Sequence, residues 1–160
     1  MPVGAASWSF TEDDFGAITR ALDRFLADSS ARSALLVDRT GQLVATVGER
    51  PAFDPTAFAT LTAADFSAND QLAKLIGEND FQSLFHQGEK ESMYLADIAH
   101  RVILVVLFDN RTTLGLVRLK MKQTVSELTQ LFEKVFNRAA TGTQPNVLAG
   151  ADDEIDKLFQ

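Results

Sequence analysis

The chain contains no cysteine among its 160 residues. Disulfides and thiol catalysis are therefore excluded, and the omission suits a reducing compartment. Histidine is almost as scarce, with only His86 and His100 present. A metal site would need the two to converge with a third ligand, and nothing in their spacing suggests it. Positive charge is in deficit: 15 Lys and Arg face 22 Asp and Glu, for a net charge of −7 and a pI near 4.7. General attraction to nucleic acid or to an anionic membrane surface is disfavoured on that balance. The longest apolar run, "VILVVLF", is too short to span a bilayer, so no membrane insertion is expected. "MPVGAASWSF" has neither a basic n-region nor an apolar h-region, and Gly4 does not stand where myristoylation requires it. A cytoplasmic protein is expected. No G-x-x-x-x-G-K-[ST] and no G-x-G-x-x-G after a strand is present, so neither a P-loop NTPase nor a dinucleotide-binding protein is indicated. No cofactor is expected.

What the chain does have is the make-up of one ordinary domain, 46% hydrophobic and 23% charged. In "FTEDDF", Thr11 is a good N-cap, Asp14 stands at N3, and Phe10 and Phe15 hold hydrophobic-staple positions. A helix follows, with Phe15, Ile18, Leu22, Phe25 and Leu26 on one stripe. "SALLVDRTGQLVATVG" predicts a hairpin of strands 33–37 and 43–47 about the turn "DRTGQ". Asp54 and Pro55 open a second helix, and Gly77 closes it. Its stripe of Phe58, Leu61, Leu72, Leu75 and Ile76 predicts the core-facing side, which leaves Phe66 pointing away from the core. The rest of this helix is built from alanines and a serine, which would let another backbone approach closely. A one-turn helix is expected in "NDFQSLFHQG", then strands 93–98, 101–108 and 113–122, and a third helix over 125–138. The order is α-ββ-α-βββ-α, an α+β fold with a five-stranded antiparallel sheet and helices on both faces.

No catalytic constellation emerges. The acids mostly cap helices, but Asp65 and Asn69 fall on or beside the apolar face of the second helix. Either they bond a neighbouring backbone, or this helix faces a partner as well as its own core. Arg118, Lys120 and Lys122 alternate at the end of the expected fifth strand, as a solvated face or as a surface that steers an acidic partner. Arg111 in "DNRTTLG" stands in a loop, where an arginine finger could sit, although a turn role is the simpler reading.

This element order matches the roadblock fold. "LTAADFSANDQLAKLIGENDFQSLFHQGEKESMYL" and "RVILVVLFDNRTTLGLVRLKMK" narrow the resemblance to the MglB branch of that family, bacterial regulators of the Ras-like GTPase MglA. The likeness runs from about Ser33 to Phe136, strongest in "LAKLIGEN", "FDNRT" and "LGLVR", and "TAAD" stands where related chains have "TAGN". The resemblance implies a homodimer, its sheets joined through the strand of Met93, Tyr94, Leu95, Ala96, Asp97 and Ile98, with the two second helices side by side. It further implies that the paired helices form a platform for the GTPase, with Ala63, Phe66, Ser67, Asp70, Gln71 and Lys74 facing outward. Members of this branch reshape the GTPase switch loops so that the partner's own residues complete the site, and no catalytic residue is donated. Control of cell polarity and gliding motility, with enrichment at a cell pole, is the biological implication.

The expected organisation is a roadblock domain over residues 1–139, a flexible linker over 140–151, and a C-terminal amphipathic helix over 152–160. In "ADDEIDKLFQ", Ile155, Leu158 and Phe159 fall at i, i+3, i+4 behind three acids. A ten-residue helix is marginal alone. The stretch is either a frayed end or a helix that folds onto the GTPase and tunes affinity or nucleotide exchange. The alternative to an activator is a non-catalytic roadblock scaffold that only assembles a GTPase or motor complex. A PAS- or GAF-type sensor would require an apolar pocket lined with a few polar groups.

Overall fold

The structure, a computed structural model, describes residues 10–141. The first helix, α1 (Glu12–Ser29), starts as its sequence dictates. The Thr11 hydroxyl accepts from the Asp14 amide at 3.1 Å while Asp14 accepts from the Thr11 amide at 3.0 Å, closing a capping box. Phe10 packs edge-on against Phe132 with ring centroids 5.5 Å apart, and Phe15 is left nearly half exposed. Strands β1 (Ser33–Asp38) and β2 (Leu43–Gly48) form the expected hairpin, with a register shift at Leu36/Val37. Helix α2 (Pro55–Leu75) is capped by Asp54, whose carboxylate accepts from the Thr56 amide at 3.1 Å. Gly77, at φ 89°, lets the chain turn back as the Glu78 amide bonds the Ala73 carbonyl.

Three strands and a helix complete the domain: β3 (Ser83–Gln87), β4 (Ser92–Ile98), β5 (Val102–Phe108) and α3 (Leu114–Thr141). All pairings are antiparallel, in the order β2-β1-β5-β4-β3. The β4–β5 turn places Ala99 and His100 at φ 53° and 60°, the left-handed pair a tight primed turn requires. Helices α1 and α3 cover one face, where Leu22, Phe25, Leu36, Leu104, Leu128 and Phe132 belong to the larger core. Helix α2 covers the other with a thinner layer around Phe66, Leu35, Leu95 and Val105. Arg24 pairs with Glu127, and Arg138 with Asp14, joining α1 to α3 at two levels.

Two expectations fail, in compensating ways. Residues 113–122, expected as a strand, are instead the N-cap Thr113 and the first turns of α3 from Leu114. The alternation of Val117, Leu119 and Met121 with Arg118, Lys120 and Lys122 imitates a strand, but Val117, Met121, Thr124 and Leu128 are the buried positions and keep helical spacing. The Thr113 hydroxyl accepts from the Leu116 amide at 3.2 Å, where an N-cap residue would. The strand lost there is regained in "SLFHQ", where a one-turn helix was expected and where β3 pairs with β4 from Ser83↔Ala96 to Gln87↔Ser92. The five-strand count and the α-ββ-α-βββ-α order hold. Helix α3 also runs two residues into the expected linker. The expected helix over 152–160, with Ile155, Leu158 and Phe159, lies outside the described residues.

Gly48 ends β2 at φ 92°, and a Cβ there would lie 2.5 Å from the Arg32 carbonyl oxygen and 2.9 Å from Ser33 Cα. Both neighbours are backbone and cannot swing aside. Gly48→Ala is expected to lower the unfolding free energy by about 1–3 kcal/mol, read from urea titration of the full chain.

Candidate functional site

Helix α2 presents its leucines to solvent. Its sheet-facing side consists of Ala59, Thr62, Ala63, Phe66, Asn69 and Ala73, all buried. Leu61, Leu72, Leu75 and Ile76 are 69%, 57%, 81% and 70% exposed. Of the stripe expected to face the core, only Phe58 packs against it and the other four face away, while Phe66, expected to face outward, is fully buried. The cause is space: small residues bring the helix axis close to the sheet, and one aromatic fills the gap. Opposite that flat side, Ala57, Leu61, Ala64, Ala68, Leu72 and Leu75 recur at steps of three and four, and all are exposed. Such a seam of small and branched apolar residues suits another helix or an apolar partner surface far better than water.

Of the six residues expected on the platform, Ser67, Gln71 and Lys74 are exposed along one flank of this stripe. Ala63 and Phe66 are in the core instead, since they fall within a few tens of degrees of Ala59 at about 100° per residue. Asp70 points inward as well, into an ion cluster with Arg39 and Asp97. Arg39 stands just after β1, and its guanidinium donates to Asp70 on α2 and to Asp97 near the end of β4. The same guanidinium lies 4.9 Å above the Phe66 ring centroid. Burial works against the Arg39 charge, but hydrogen bonds to Asp97 and then Asp70 outweigh it and raise its pKa.

The other flank of the stripe faces β3. Asp65 reaches down to His86, with 2.7 Å between Oδ2 and Nε2. Strand β3 is an edge of the sheet, and its outer side has no strand partner among the described residues. Strand β4, expected as the joining edge, is hydrogen-bonded on both sides, to β3 and β5. Its backbone is consumed by those ladders, and the free edge falls to the strand that was missed.

The remaining candidates are held in local pairs. Arg111 donates from Nη2 to Glu49 at 2.8 Å and from Nε to Asp109 at 3.0 Å. Those bonds, to Asp109 first and Glu49 second, raise its pKa above the ordinary arginine value. It is a turn clamp rather than a free finger. His100 Nδ1 lies 3.3 Å from Asp97 and 3.5 Å from Asp80. Arg118 and Lys122 line an open groove of about 850 Å³ between α3 and β4, together with Tyr94, His100 and Met121. Among the described residues no three potential ligands gather as a metal site would require, and no helix is long and apolar enough to cross a membrane.

Sequence reasoning missed the outward stripe and the β3 edge. The regular 57-61-64-68-72-75 spacing was a usable signal for the first. Leu72→Ser with Leu75→Ser is expected to leave far-UV circular dichroism intact and shift monomer stability by under about 1 kcal/mol. Phe66→Ala should cost about 3–5 kcal/mol in the same denaturation experiment.

The Roadblock/LC7 domain pattern matches residues 18–108. Among solved structures, Myxococcus xanthus MglB is 48% identical, the match covering 75% of this chain and 98% of that one at a TM-score of 0.72. The gliding protein MglB of Thermus thermophilus is 30% identical over 82% of this chain and 99% of its own, with a TM-score of 0.77. An MglB described in a tetrameric arrangement aligns with the same coverage, identity and TM-score. Comparison with curated proteins gave no match.

Proposed function

This chain belongs to the Roadblock/LC7 family as an MglB-type regulator, and from that premise we propose that it is a GTPase-activating regulator of the Ras-like GTPase MglA, acting as a homodimer. The observation that carries the proposal is the outward apolar stripe of α2, which a monomer alone in water would have no reason to keep. Two copies joined through their β3 edges would form one continuous sheet and bring the two α2 helices alongside each other. The tetrameric arrangement described for one MglB supports self-association of this kind of chain. On this reading the part of the stripe left uncovered after pairing, flanked by Ser67, Gln71 and Lys74, meets the GTPase.

Activation then works by shape. An arginine finger supplied in trans is worth about 10³–10⁵ in rate, but it needs a guanidinium free to enter the nucleotide site. Arg111 is committed to Asp109 and Glu49, and Arg39 to Asp70 and Asp97. The activator reorders the switch loops of MglA, and the GTPase supplies its own catalytic groups. Residues 152–160 add a second, tethered contact through Ile155, Leu158 and Phe159, which tunes affinity or nucleotide exchange. Polarity and gliding motility are the processes such a regulator would serve. A non-catalytic scaffold is the second reading, because the same stripe could assemble a complex without altering hydrolysis.

Single-turnover GTP hydrolysis by MglA, with and without saturating protein, separates the two: acceleration is expected, and an unchanged rate with intact binding would leave the scaffold. Ser67→Arg and Gln71→Arg should abolish complex formation while the dimer persists in sizing. Arg111→Ala should leave the stimulated rate within about twofold, against the loss of about 10³ or more expected of a true finger. Deleting residues 150–160 should weaken the complex or slow exchange and leave the dimer unchanged.

A further inference from the structure

We propose that Arg39 is a positioning residue that fixes how α2 sits on the sheet, and so where its outward stripe stands relative to the β3 edge. The proposal begins with the smoothness of the bed. Large side chains hold a packed helix in place by entering gaps in the surface beneath. Ala59, Ala63 and Ala73 enter little, so Phe66 is the one large side chain of α2 that is fully buried, with Phe58 half-buried towards the start of the helix. A helix held by one buried aromatic, one half-buried aromatic near its start and several methyl groups has few steric obstacles to a small slide or rotation.

The Arg39 cluster supplies the missing direction. Its guanidinium stacks on Phe66 and donates to Asp70, one turn further along the same side of α2. It also donates to Asp97 near the end of β4. The cation itself is held firmly. Its backbone amide donates to the Arg101 carbonyl at 3.0 Å, and the following turn is shaped by Asp38, whose carboxylate accepts from the Thr40 and Gln42 amides. Gly41 in that turn comes so close to α2 that a Cβ would lie 3.3 Å from Thr60 Cα. One side chain thus joins the first hairpin, the helix and β4, two strands across at the same end of the sheet.

The cluster is poorly built for stability alone. Two carboxylates share one guanidinium, and Arg39 Nε, Asp70 Oδ1 and the neighbouring Asn69 Nδ2 are buried without a partner. The three side chains are partly buried, and ionic groups withdrawn from water often stabilise less than apolar ones of the same size would, their best-attested use being to fix register. Fork-like, charge-assisted hydrogen bonds are directional in a way that methyl contacts are not.

The functional consequence rests on the reading of α2 as the partner platform, but the test does not. Hydrogen exchange is followed by fragment in the full chain for Arg39→Met, Arg39→Lys and Asp97→Asn. Arg39→Met is expected to speed exchange over residues 59–76 by about tenfold or more, with residues 12–29 and 114–141 within about twofold of the parent. Arg39→Lys should recover only part of the protection, because an ammonium cannot span both carboxylates in a fixed plane. Asp97→Asn, which keeps the shape and loses the charge, should fall between the parent and Arg39→Met. Acceleration spread evenly over the whole chain would reduce Arg39 to a general stabiliser, and an unchanged α2 would remove its role; either overturns the proposal. A failed GTPase assay beside α2-specific exchange would discard the platform reading alone.

Discussion

Strand β5 carries a full ladder on each side, to β1 from Val102↔Asp38 to Leu107↔Ser33 and to β4 from Val102↔Ile98 to Phe108↔Ser92. Both its faces are covered as well. Val102, Leu104, Val106 and Phe108 enter the core beneath α1 and α3, while Ile103 and Val105 enter the core beneath α2. A strand buried on both faces reads as a continuous apolar run, which is why "VILVVLF" has no alternation. The two layers meet only through the sheet, where β1 (Leu36 against Leu35 and Val37) and β4 (Ile98 against Leu95) also send residues to both sides, so each can be thick or thin independently.

They differ greatly. The α1–α3 layer contains Phe25 and Phe132 and is tied by ion pairs between the two helices. The α2 layer is a single helix on a shallow core, with a charged cluster at one end. That inequality suits a division of labour in which one face of the sheet holds the domain together and the other offers a helix outward. The cost of leaving leucines in water is offset once a second surface covers them, at about 25 cal/mol per Å² of apolar area.

Most of the fold was legible because its local signals agree with one another. Thr11 and Asp14 cap α1, Asp54 and Pro55 open α2, and Gly77 closes it, each by chemistry that acts within a few residues. The errors arose where a pattern had two physical meanings. Alternating apolar and basic residues over 117–122 satisfy a two-residue period over a short window, and only the longer register of Val117, Met121, Thr124 and Leu128 reveals a helix. On α2 the more hydrophobic side reads as the core-facing one. Hydrophobicity records which side avoids water, not which neighbour does the covering. The alanines beside Phe66 held that information, because small residues mark close approach, yet close approach to the sheet and to a second helix look alike in sequence. The Arg39 cluster was beyond reach for another reason: Arg39, Asp70 and Asp97 are far apart in the chain, and only the fold brings them together.

The outer edge of β3 has a consequence for what becomes of the chain before any partner is met. Its five residues, "SLFHQ", include no lysine, no proline and no glycine, and its ladder to β4 runs without a bulge. Those are the devices by which edge strands usually refuse further strands. The other edge, β2, does have an irregularity in its ladder to β1. A bare edge can add copies without end if the added copy offers another bare edge in the same direction. It stops at two if the same strand pairs with itself about a two-fold axis, because both open rows of amides and carbonyls are then used up. Self-pairing at β3 would thus act as a terminator, turning a template for filaments into a closed particle with a net charge of twice −7 to keep it from its neighbours.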